Sequence, residues 1–183
     1  TGGFYDEDIW GIVAGELKDL IPNGYTIYGE IVGYMPSGGM IQKEYDYGCQ
    51  QGEHAFYAFR VTFTNVDGAV FELSWPQIKE FCRVRGIKTT PEYYYGKAID
   101  MERSWEMTSI EDPRDWQEDF FKVCKDKFNL EKDCEICQNV VPAEGVCIRL
   151  DDATGFVCFK YKADKFKIKE SKMSQREQIF AGL

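Results

Sequence analysis

Two lysines near the end of the chain are the residues best suited to bind a charged substrate. Lys160 and Lys162 lie two apart in the segment FKYK of a predicted strand, so both ammonium groups point to the same side of it. Such a pair suits a polyanion such as a triphosphate, which needs concentrated positive charge. The ordinary alternative is that Lys-x-Lys forms the solvated outer face of a sheet.

Carboxylates and aromatic rings complete a candidate nucleotide pocket. Glu144 opens a predicted strand, where a carboxylate suits a hard divalent cation such as Mg²⁺. Glu30, in the segment Tyr-Gly-Glu, could accept hydrogen bonds from sugar hydroxyls. The segment FYAF offers ring faces on which a base could stack, from Phe56, Tyr57 and Phe59. Each feature also fits a structural role. Glu144 could cap a turn, Tyr-Gly-Glu could be a bulge beside a surface acid, and Phe59 could be a core ring.

Hydrophobic periodicity and turn residues predict the strands and the first helix. Residues 6–20 have the spacing of an amphipathic helix capped by Asp6, with an apolar face of Ile9, Trp10, Val13, Leu17 and Leu20. β-branched and aromatic residues predict five strands, at 25–34, 56–64, 69–73, 145–150 and 155–162. The turn at 65–68 joins two of them into an antiparallel hairpin, and a turn at 151–154 separates the last two.

Two more helices and a charged tail complete the predicted elements. Ser74 caps a helix that runs to about Arg85, and Asp112 caps another at 113–128 whose stripe is Trp116, Phe120, Cys124 and Phe128. The polar residues after Asp164 are expected to fray beyond about Lys172. The expected fold class is α+β, with antiparallel sheets flanked by helices in one domain at 1–172 and a polar tail at 173–183.

Composition and charge are those of a folded, soluble domain. Among 183 residues, 44% are hydrophobic and 29% are charged, which excludes a disordered chain, and no apolar run is long enough to span a bilayer. Nucleic-acid binders usually carry a net positive charge, whereas this chain has a net charge of −9. A local basic groove is still compatible with that value, because net charge does not report how charges are distributed. Seven cysteines without a secretory segment favour a reducing, cytoplasmic compartment.

The cysteines and the one histidine allow a different interpretation of the chain. Cys134 and Cys137 form a single CxxC, which supplies at most two of the four ligands of a structural zinc site. A zinc-binding interaction module is therefore an alternative, although free thiols in a loop fit better. His54 lies beside Glu53 before a strand and is expected to face solvent rather than to act in catalysis.

The order of these features resembles the covalent nucleotidyltransferase superfamily of polynucleotide ligases and capping enzymes. The order is Tyr-Gly-Glu, an aromatic strand, Glu-Gly-Val and Lys-x-Lys. The resemblance is strongest to the ATP-dependent RNA ligases, in the phage-type branch that seals nicks in duplex RNA. The segments GYTIYGEIVGY, IQKEYDYG and FYAF carry most of it, and with AEGVCIRL and FKYKADKF it extends over about residues 24 to 170.

The resemblance implies a role for each of five residues. Glu30 would hold the ribose of ATP, Phe59 would stack on adenine, and Glu144 would position Mg²⁺ or Mn²⁺. Lys160 and Lys162 would contact the phosphates, and one of them would stabilise charge that develops on the α-phosphate. The implied fold is a nucleotidyltransferase (ATP-grasp-like ligase) domain. The implied reaction joins the 3′-OH and 5′-phosphate ends of RNA through lysyl-AMP and AMP-RNA, as in RNA repair.

The chain departs from the family pattern at the nucleophile. The family nucleophile is a lysine in Lys-x-x-Gly or Lys-x-Asp-Gly that precedes the position of Glu30. In this chain no lysine is followed by Gly three residues later, and Lys18 is the only lysine before Glu30. The favoured interpretation is a fragment that lacks its N-terminal portion and the nucleophile. The alternative is a catalytically inactive protein that binds nucleotide or RNA ends, and a DNA ligase or capping enzyme stays open within the enzyme class.

Two further departures concern secondary contacts. Arg60 stands where relatives often carry Asp, which puts a polar contact beside the stacking ring in doubt. The end of the chain at Leu183 leaves no room for a separate C-terminal RNA-binding domain, so the resemblance does not say how RNA would be engaged.

Overall fold

The computed structural model describes residues 7–97, 120, 122, 124–128, 130–151 and 156–181, with the side chains of the last helix described as far as Lys172. Within these ranges the bounded elements are, in chain order, α1 (Ile9–Leu17), β1 (Tyr25–Gly33), β2 (His54–Thr64), β3 (Val70–Glu72), α2 (Trp75–Arg83), β4 (Lys88–Thr89), β5 (Gly145–Leu150), β6 (Val157–Lys162) and α3 (Asp164–Ala181). Helical residues also occur at 120, 122 and 124–127.

The strands form one larger sheet and one pair. In the larger sheet β1, β2 and β3 are neighbours in that order and antiparallel, and the two-residue β4 pairs with β2 in parallel. Strands β5 and β6 pair with each other. The prediction of an α+β fold with antiparallel sheets and helices is confirmed, with β4 as a short parallel addition that no strand signal had indicated.

The chain divides into two compact units. Unit 1 consists of Thr1–Thr90, Glu135–Val141 and Arg149–Phe159. Unit 2 consists of Pro91–Cys134, Pro142–Ile148 and Lys160–Leu183. Strands β5 and β6 contribute residues to both. Among the described residues, no helix combines the length and the apolar character that crossing a bilayer requires.

The core of unit 1 lies where the helices pack on the larger sheet. One cluster brings α2 onto β2 and consists of Ala58, Val61, Ile78, Phe81, Cys82 and Ile87. A second brings α1 onto β1 and consists of Ile9, Val13, Ile31 and Met35. Phe56 packs against both clusters, so its ring belongs to the core and is not an exposed stacking face.

The first helix is shorter than predicted and is capped differently. Its N-cap is Asp8, whose Oδ1 accepts a hydrogen bond from the backbone N–H of Gly11 at 3.0 Å, so the prediction of Asp6 as the cap is wrong. Ile9 and Val13 are buried as expected, but Trp10 is 62% exposed and Leu20 is 40% exposed. The helix ends at Leu17, so Leu20 no longer follows the periodicity of its face.

The hairpin and the second helix follow their turn and cap residues. Asn65 Oδ1 accepts hydrogen bonds from the N–H groups of Asp67 at 3.0 Å and Ala69 at 2.9 Å, which fixes the turn between β2 and β3. Ser74 is the N-cap of α2, and its N–H donates to Gln77 Oε1 at 2.8 Å. Both predictions are confirmed, with α2 ending at Arg83 instead of about Arg85.

In unit 2 the end of the chain is helical where fraying was expected. The helix α3 continues to Ala181. Its first N–H groups, on Asp164 and Lys165, donate to the two carboxylate oxygens of Glu131 at 2.9 and 3.0 Å, and the hydrogen bond from Asp164 is the main cause of a lowered pKa of Glu131. Because the cap comes from a residue 33 positions away in the chain, the local sequence of the tail could not reveal it.

Parts of two predictions lie outside the described residues. Of the predicted helix at 113–128, the structure describes only 120, 122 and 124–128, where the backbone is helical through 127 and Cys124 is buried as predicted. Its predicted cap Asp112 and stripe residue Trp116 are not among the described residues, and neither is most of the predicted turn at 151–154.

A buried aspartate holds the long loop between β1 and β2. Asp46 is 2% exposed, and its carboxylate accepts hydrogen bonds from the N–H groups of Gly48 (2.8 Å), Gln138 (2.9 Å) and Asn139 (3.0 Å). Burial raises the pKa of Asp46, but these backbone hydrogen bonds outweigh it, and the net pKa is lowered. The carboxylate therefore ties two distant segments of unit 1 together in its charged form.

We expect Asp46→Asn to lower the free energy of unfolding by about 3 kcal/mol, because the amide cannot accept all three hydrogen bonds. The lowered pKa means that Asp46 stabilises the folded state above its unfolded pKa of about 3.9, and that this contribution is lost as the pH falls through the folded value. Urea unfolding of both proteins across an acidic pH series measures this. The stability difference should shrink on acidification.

The matched control for this prediction is Asp67→Asn, an exposed aspartate in the hairpin turn of the same unit. Its stability should differ from that of the wild type by less than about 0.5 kcal/mol at every pH. Equal effects of the two substitutions would refute the structural role of the Asp46 carboxylate.

Candidate active site

Phe59 is the extra residue of a β-bulge. Tyr28 is opposite Arg60 and Gly29 is opposite Ala58, so no residue of β1 is paired with Phe59. Ala58 is fully buried, whereas Phe59 is 39% exposed. A bulge interrupts the alternation of inward and outward side chains, and here it leaves an aromatic ring at the surface. The default expectation of a core ring at this position is wrong.

Gly29 permits the backbone arrangement at the bulge. A Cβ atom at this position would lie 2.5 Å from the backbone oxygen of Tyr57 and would overlap the ring of Phe56. Only glycine therefore lets β1 approach β2 so closely. Tyr-Gly-Glu therefore has the geometry of the structural alternative, a bulge next to a surface acid. The acid is Glu30, which directly follows Gly29 and is exposed.

Glu30 shares one face of the sheet with polar and aromatic side chains. It is opposite Tyr57, and two positions earlier Tyr28 is opposite Arg60. Directly paired residues of antiparallel strands lie on the same face, so these four side chains form one surface. This surface offers a carboxylate and a phenol near each other, which suits the hydroxyl groups of a sugar.

The guanidinium of Arg149 supports the bulge. It donates hydrogen bonds to the carbonyl oxygen of Phe59 at 3.2 Å and to that of Leu73 at 2.5 Å. Asp151 Oδ1 accepts from Arg149 Nε at 3.2 Å, while Asp151 Oδ2 accepts from the N–H of Trp75 at 2.6 Å. A bulge disrupts the ladder of the sheet, and Arg149 supplies a donor to the carbonyl of the bulged residue.

Arg60 forms a second polar cluster on the same strand. It is paired with Glu72 of β3, with Nε 3.0 Å from Oε2, and its hydrogen bonds with that carboxylate raise the pKa of the arginine. Its guanidinium lies 4.6 Å from the ring centroids of both Tyr28 and Phe156. Arg60 therefore has its own carboxylate partner and two aromatic neighbours.

The three candidate residues of unit 2 lie directly before β5 and in the second half of β6. Lys160 Nζ lies 2.6 Å from Glu144 Oε1, and Lys162 Nζ lies 3.0 Å from both carboxylate oxygens of Glu170. The Lys160 side chain is 46% exposed and that of Lys162 is 35% exposed, so both ammonium groups remain near solvent. The structure thus brings Glu144 and Lys160 together.

Gly145 explains why Glu144 lies so close to β6. Its φ is +137°, and a Cβ there would overlap the backbone oxygen of Tyr161 and lie 2.9 Å from the Cα of Lys162. On the other side of Glu144, its carbonyl oxygen accepts a hydrogen bond from the N–H of Ala163 at 3.0 Å. The pair Glu-Gly therefore fixes the backbone of Glu144 against the end of β6.

The donors at Glu144 fit a divalent cation only in part. Mg²⁺ in nucleotide sites is usually held by one or two carboxylates together with substrate phosphates. Glu144 supplies one such carboxylate, and its Oε1 accepts a hydrogen bond from Lys160 Nζ. In the described part of the chain, no group of three or more His, Cys, Asp or Glu side chains is placed to hold a metal ion. Glu144 therefore fits a cation that is bound jointly with phosphates.

His54 is not solvent-facing, contrary to the prediction. Its side chain is 14% exposed, Nε2 lies 3.2 Å from Glu16 Oε1, and Nδ1 is buried with no hydrogen-bond partner among the residues that the structure describes. It lines a shallow cleft of about 540 Å³ in unit 1, together with Tyr57 and Lys88. The lining of this cleft includes neither Glu30 nor Phe59.

All seven cysteines are free thiols. Cys82 and Cys124 are buried, and burial raises the pKa of both thiols, as expected for cysteines that act as small core residues. Cys134 and Cys137 are half-buried.

Two residues that support Phe59 have no role in the sequence-based prediction. Arg149 lies in a predicted strand and Asp151 in a predicted turn. A signal did exist, since Arg149 is the one charged residue in the predicted strand GVCIRL. A cation in such a strand needs a specific partner, but its partners, the carbonyl groups of Phe59 and Leu73, could not be identified from the sequence.

A family model described as RNA ligase matches residues 5–167, which includes all five candidate residues. No curated protein matches the chain.

We expect Gly29→Ala to reduce the free energy of unfolding by about 1 to 3 kcal/mol, because the new methyl group would force β1 away from β2 at the bulge. Gly15→Ala, in α1, has no atom within 4 Å of its new Cβ and should be neutral or stabilising by up to about 1 kcal/mol. Chemical denaturation of the two variants and the wild type measures both effects. Equal stability of the two variants would contradict the close approach at Gly29.

Proposed function

Because the chain belongs to the RNA ligase family, we propose that it is the nucleotidyltransferase domain of an ATP-dependent RNA ligase. The observation that carries the proposal is the contact between Lys160 and Glu144, at 2.6 Å. In this contact the Lys160 ammonium group, which suits a phosphate, lies beside the Glu144 carboxylate, which suits a divalent cation. The two residues also follow each other along the chain in the order that the resemblance implies. Nicked duplex RNA is the proposed substrate class.

The proposed reaction has three steps. A neutral lysine amine attacks the α-phosphorus of ATP: an N–P bond forms, the amine loses a proton, the P–O bond to the β-phosphate breaks, and pyrophosphate leaves. An oxygen of an RNA 5′-phosphate then attacks the same phosphorus, the N–P bond breaks as the lysine nitrogen takes up a proton, and the AMP is joined to the RNA through a diphosphate. Finally, the 3′-hydroxyl of the other RNA end attacks the 5′-phosphorus, loses its proton, and displaces AMP.

The residues of unit 2 would stabilise the charge on the phosphates. Lys160 and Lys162 would donate hydrogen bonds to phosphate oxygens as negative charge develops in the transition state. In the structure both ammonium groups are paired with carboxylates, Lys160 with Glu144 and Lys162 with Glu170. A bound divalent cation, Mg²⁺ or Mn²⁺, would neutralise phosphate charge, with Glu144 as its protein ligand.

The residues of unit 1 would bind the nucleoside. The exposed ring of Phe59 would stack on adenine, and the carboxylate of Glu30 would accept hydrogen bonds from the ribose hydroxyls. Arg149 would act as a positioning residue, because it donates to the backbone of Phe59 and its own side chain is held by Asp151.

The second candidate function is binding of nucleotide or RNA ends without catalysis. One observation favours it: none of the lysines among these 183 residues has the Lys-x-x-Gly context of the family nucleophile. The two functions differ in covalent chemistry. Incubation of the protein from its complete reading frame with ATP and Mg²⁺, followed by intact-mass spectrometry, should give a mass increase of one AMP on a lysine if the protein is a ligase. ATP binding without that increase would favour the second function.

We expect Lys160→Ala/Lys162→Ala to abolish the covalent AMP adduct in the protein from its complete reading frame, because two donors to the phosphates are removed. The rate of adenylylation should fall by at least a hundredfold, since removal of one such donor typically costs about that factor. Lys172→Ala, an exposed lysine of α3 in the same unit, is the control and should react at the wild-type rate. Adenylylation retained in the double variant would refute the assigned roles.

We expect Phe59→Ala to weaken ATP binding by the 183-residue chain about tenfold, through loss of base stacking, and Phe59→Trp to retain the affinity. Phe71→Ala is the control, because Phe71 is 53% exposed on the edge strand β3 of the same sheet. Isothermal titration calorimetry with ATP measures the affinities. If both alanine variants bind ATP as the wild type does, Phe59 is not the stacking residue.

A further inference from the structure

We propose that three consecutive tyrosines of unit 2 form a binding surface for a single strand of RNA. Tyr93, Tyr94 and Tyr95 lie in the irregular segment after β4 and are 48%, 39% and 52% exposed. We name Tyr93, Tyr94, Tyr95, Lys127 and Lys132 the tyrosine surface. This inference rests on the proposed RNA ligase function, and it adds to the proposed nicked duplex an unpaired RNA segment whose bases are free to stack.

The rings of the tyrosine surface are exposed but held in place. Tyr93 packs against Phe128, with ring centroids 5.6 Å apart. The hydroxyl of Tyr94 donates to the carbonyl oxygen of Lys97 at 3.0 Å. Gly96 allows this, because a Cβ there would lie 2.6 Å from the Tyr94 hydroxyl oxygen. Rings that are ordered before binding lose little conformational entropy when a base stacks on them.

Cations accompany two of the three rings. Lys132 Nζ lies 5.6 Å from the ring centroid of Tyr93, and Lys127 Nζ lies 5.9 Å from that of Tyr94. The tyrosine surface as defined contains two lysines and no carboxylate, although the whole chain has a net charge of −9. The two ammonium groups beside the rings therefore supply positive charge on an acidic protein.

Aromatic rings interleaved with lysines are what a single strand of nucleic acid requires. Bases stack on aromatic faces without regard to their sequence, and lysines contact the phosphates between them. An ordinary exposed apolar patch supplies no such charge. The hairpin between β2 and β3, for comparison, exposes Val66, Val70 and Phe71 but carries Asp67 in its turn. Charge complementarity thus favours RNA over an apolar partner at the tyrosine surface.

The first test replaces the rings. Fluorescence anisotropy with a short fluorescein-labelled single-stranded RNA measures binding by the 183-residue chain. Tyr93→Ala/Tyr94→Ala/Tyr95→Ala should weaken RNA binding at least tenfold, since the loss of stacking on one base has about that effect. The corresponding triple Phe variant keeps the rings and should bind within about twofold of the wild type. If the Phe variant loses binding as the Ala variant does, stacking is not the interaction.

The second test replaces the charges. Lys127→Gln/Lys132→Gln removes two phosphate contacts, so the slope of log K against log salt concentration should become shallower by about 1.4 for a single strand. Lys43→Gln/Lys172→Gln, two exposed lysines outside the tyrosine surface, should leave the slope unchanged. Equal slopes in the two double variants would overturn the proposal even if the Ala variant proved unstable.

ATP binding by the same variants separates this proposal from the proposed function. Wild-type affinity for ATP together with weakened RNA binding in the triple Ala variant is the expected result. Unchanged RNA binding in that variant, or no RNA binding by a wild type that binds ATP, would overturn the tyrosine surface alone. A triple Ala variant that binds RNA normally but loses self-association in sedimentation would assign these rings to a protein contact. A wild type that binds neither ATP nor RNA would overturn both proposals.

Discussion

The bulge between β1 and β2 is the constraint on which the candidate nucleoside site depends. It exists because Gly29 lets the strands approach to a distance that no Cβ would tolerate, and it leaves Phe59 unpaired and 39% exposed. The carbonyl group of the bulged residue still needs a donor, which Arg149 supplies from a distant segment. A surface aromatic ring, a glycine and an arginine that are far apart in the sequence are therefore parts of one local geometry.

Carboxylates that bind backbone N–H groups hold several distant segments together. Asp46 accepts from the N–H groups of Gln138 and Asn139, Glu131 accepts from the first N–H groups of α3, and Asp151 accepts from the N–H of Trp75 at the start of α2. Each carboxylate satisfies donors that a loop or a helix end leaves without partners. These three acidic residues therefore stabilise the fold.

In unit 2, carboxylates neutralise the two lysines that are proposed to bind phosphate. Two ammonium groups on one strand repel each other, and the carboxylates of Glu144 and Glu170 offset that repulsion. Since Glu144 belongs to the segment that Gly145 fixes against β6, the position of the first lysine is coupled to that of the residue proposed to hold a cation. Binding of a nucleotide at this site would exchange one set of anionic partners for another.

The sequence by itself determined the elements whose signals are local. The hairpin at Asn65, the cap at Ser74 and the strand β1 could all be predicted, and the RNA ligase family model covers the segments that carry the resemblance as far as residue 167. Only the tertiary structure decided the features that depend on contacts between distant residues. These are the exposure of Phe59, the partners of Arg149, the burial of His54 and the helix after Asp164 that Glu131 caps. Hydrophobic periodicity reports which face of an element is buried, but it carries no information about which distant donor or acceptor satisfies a backbone group.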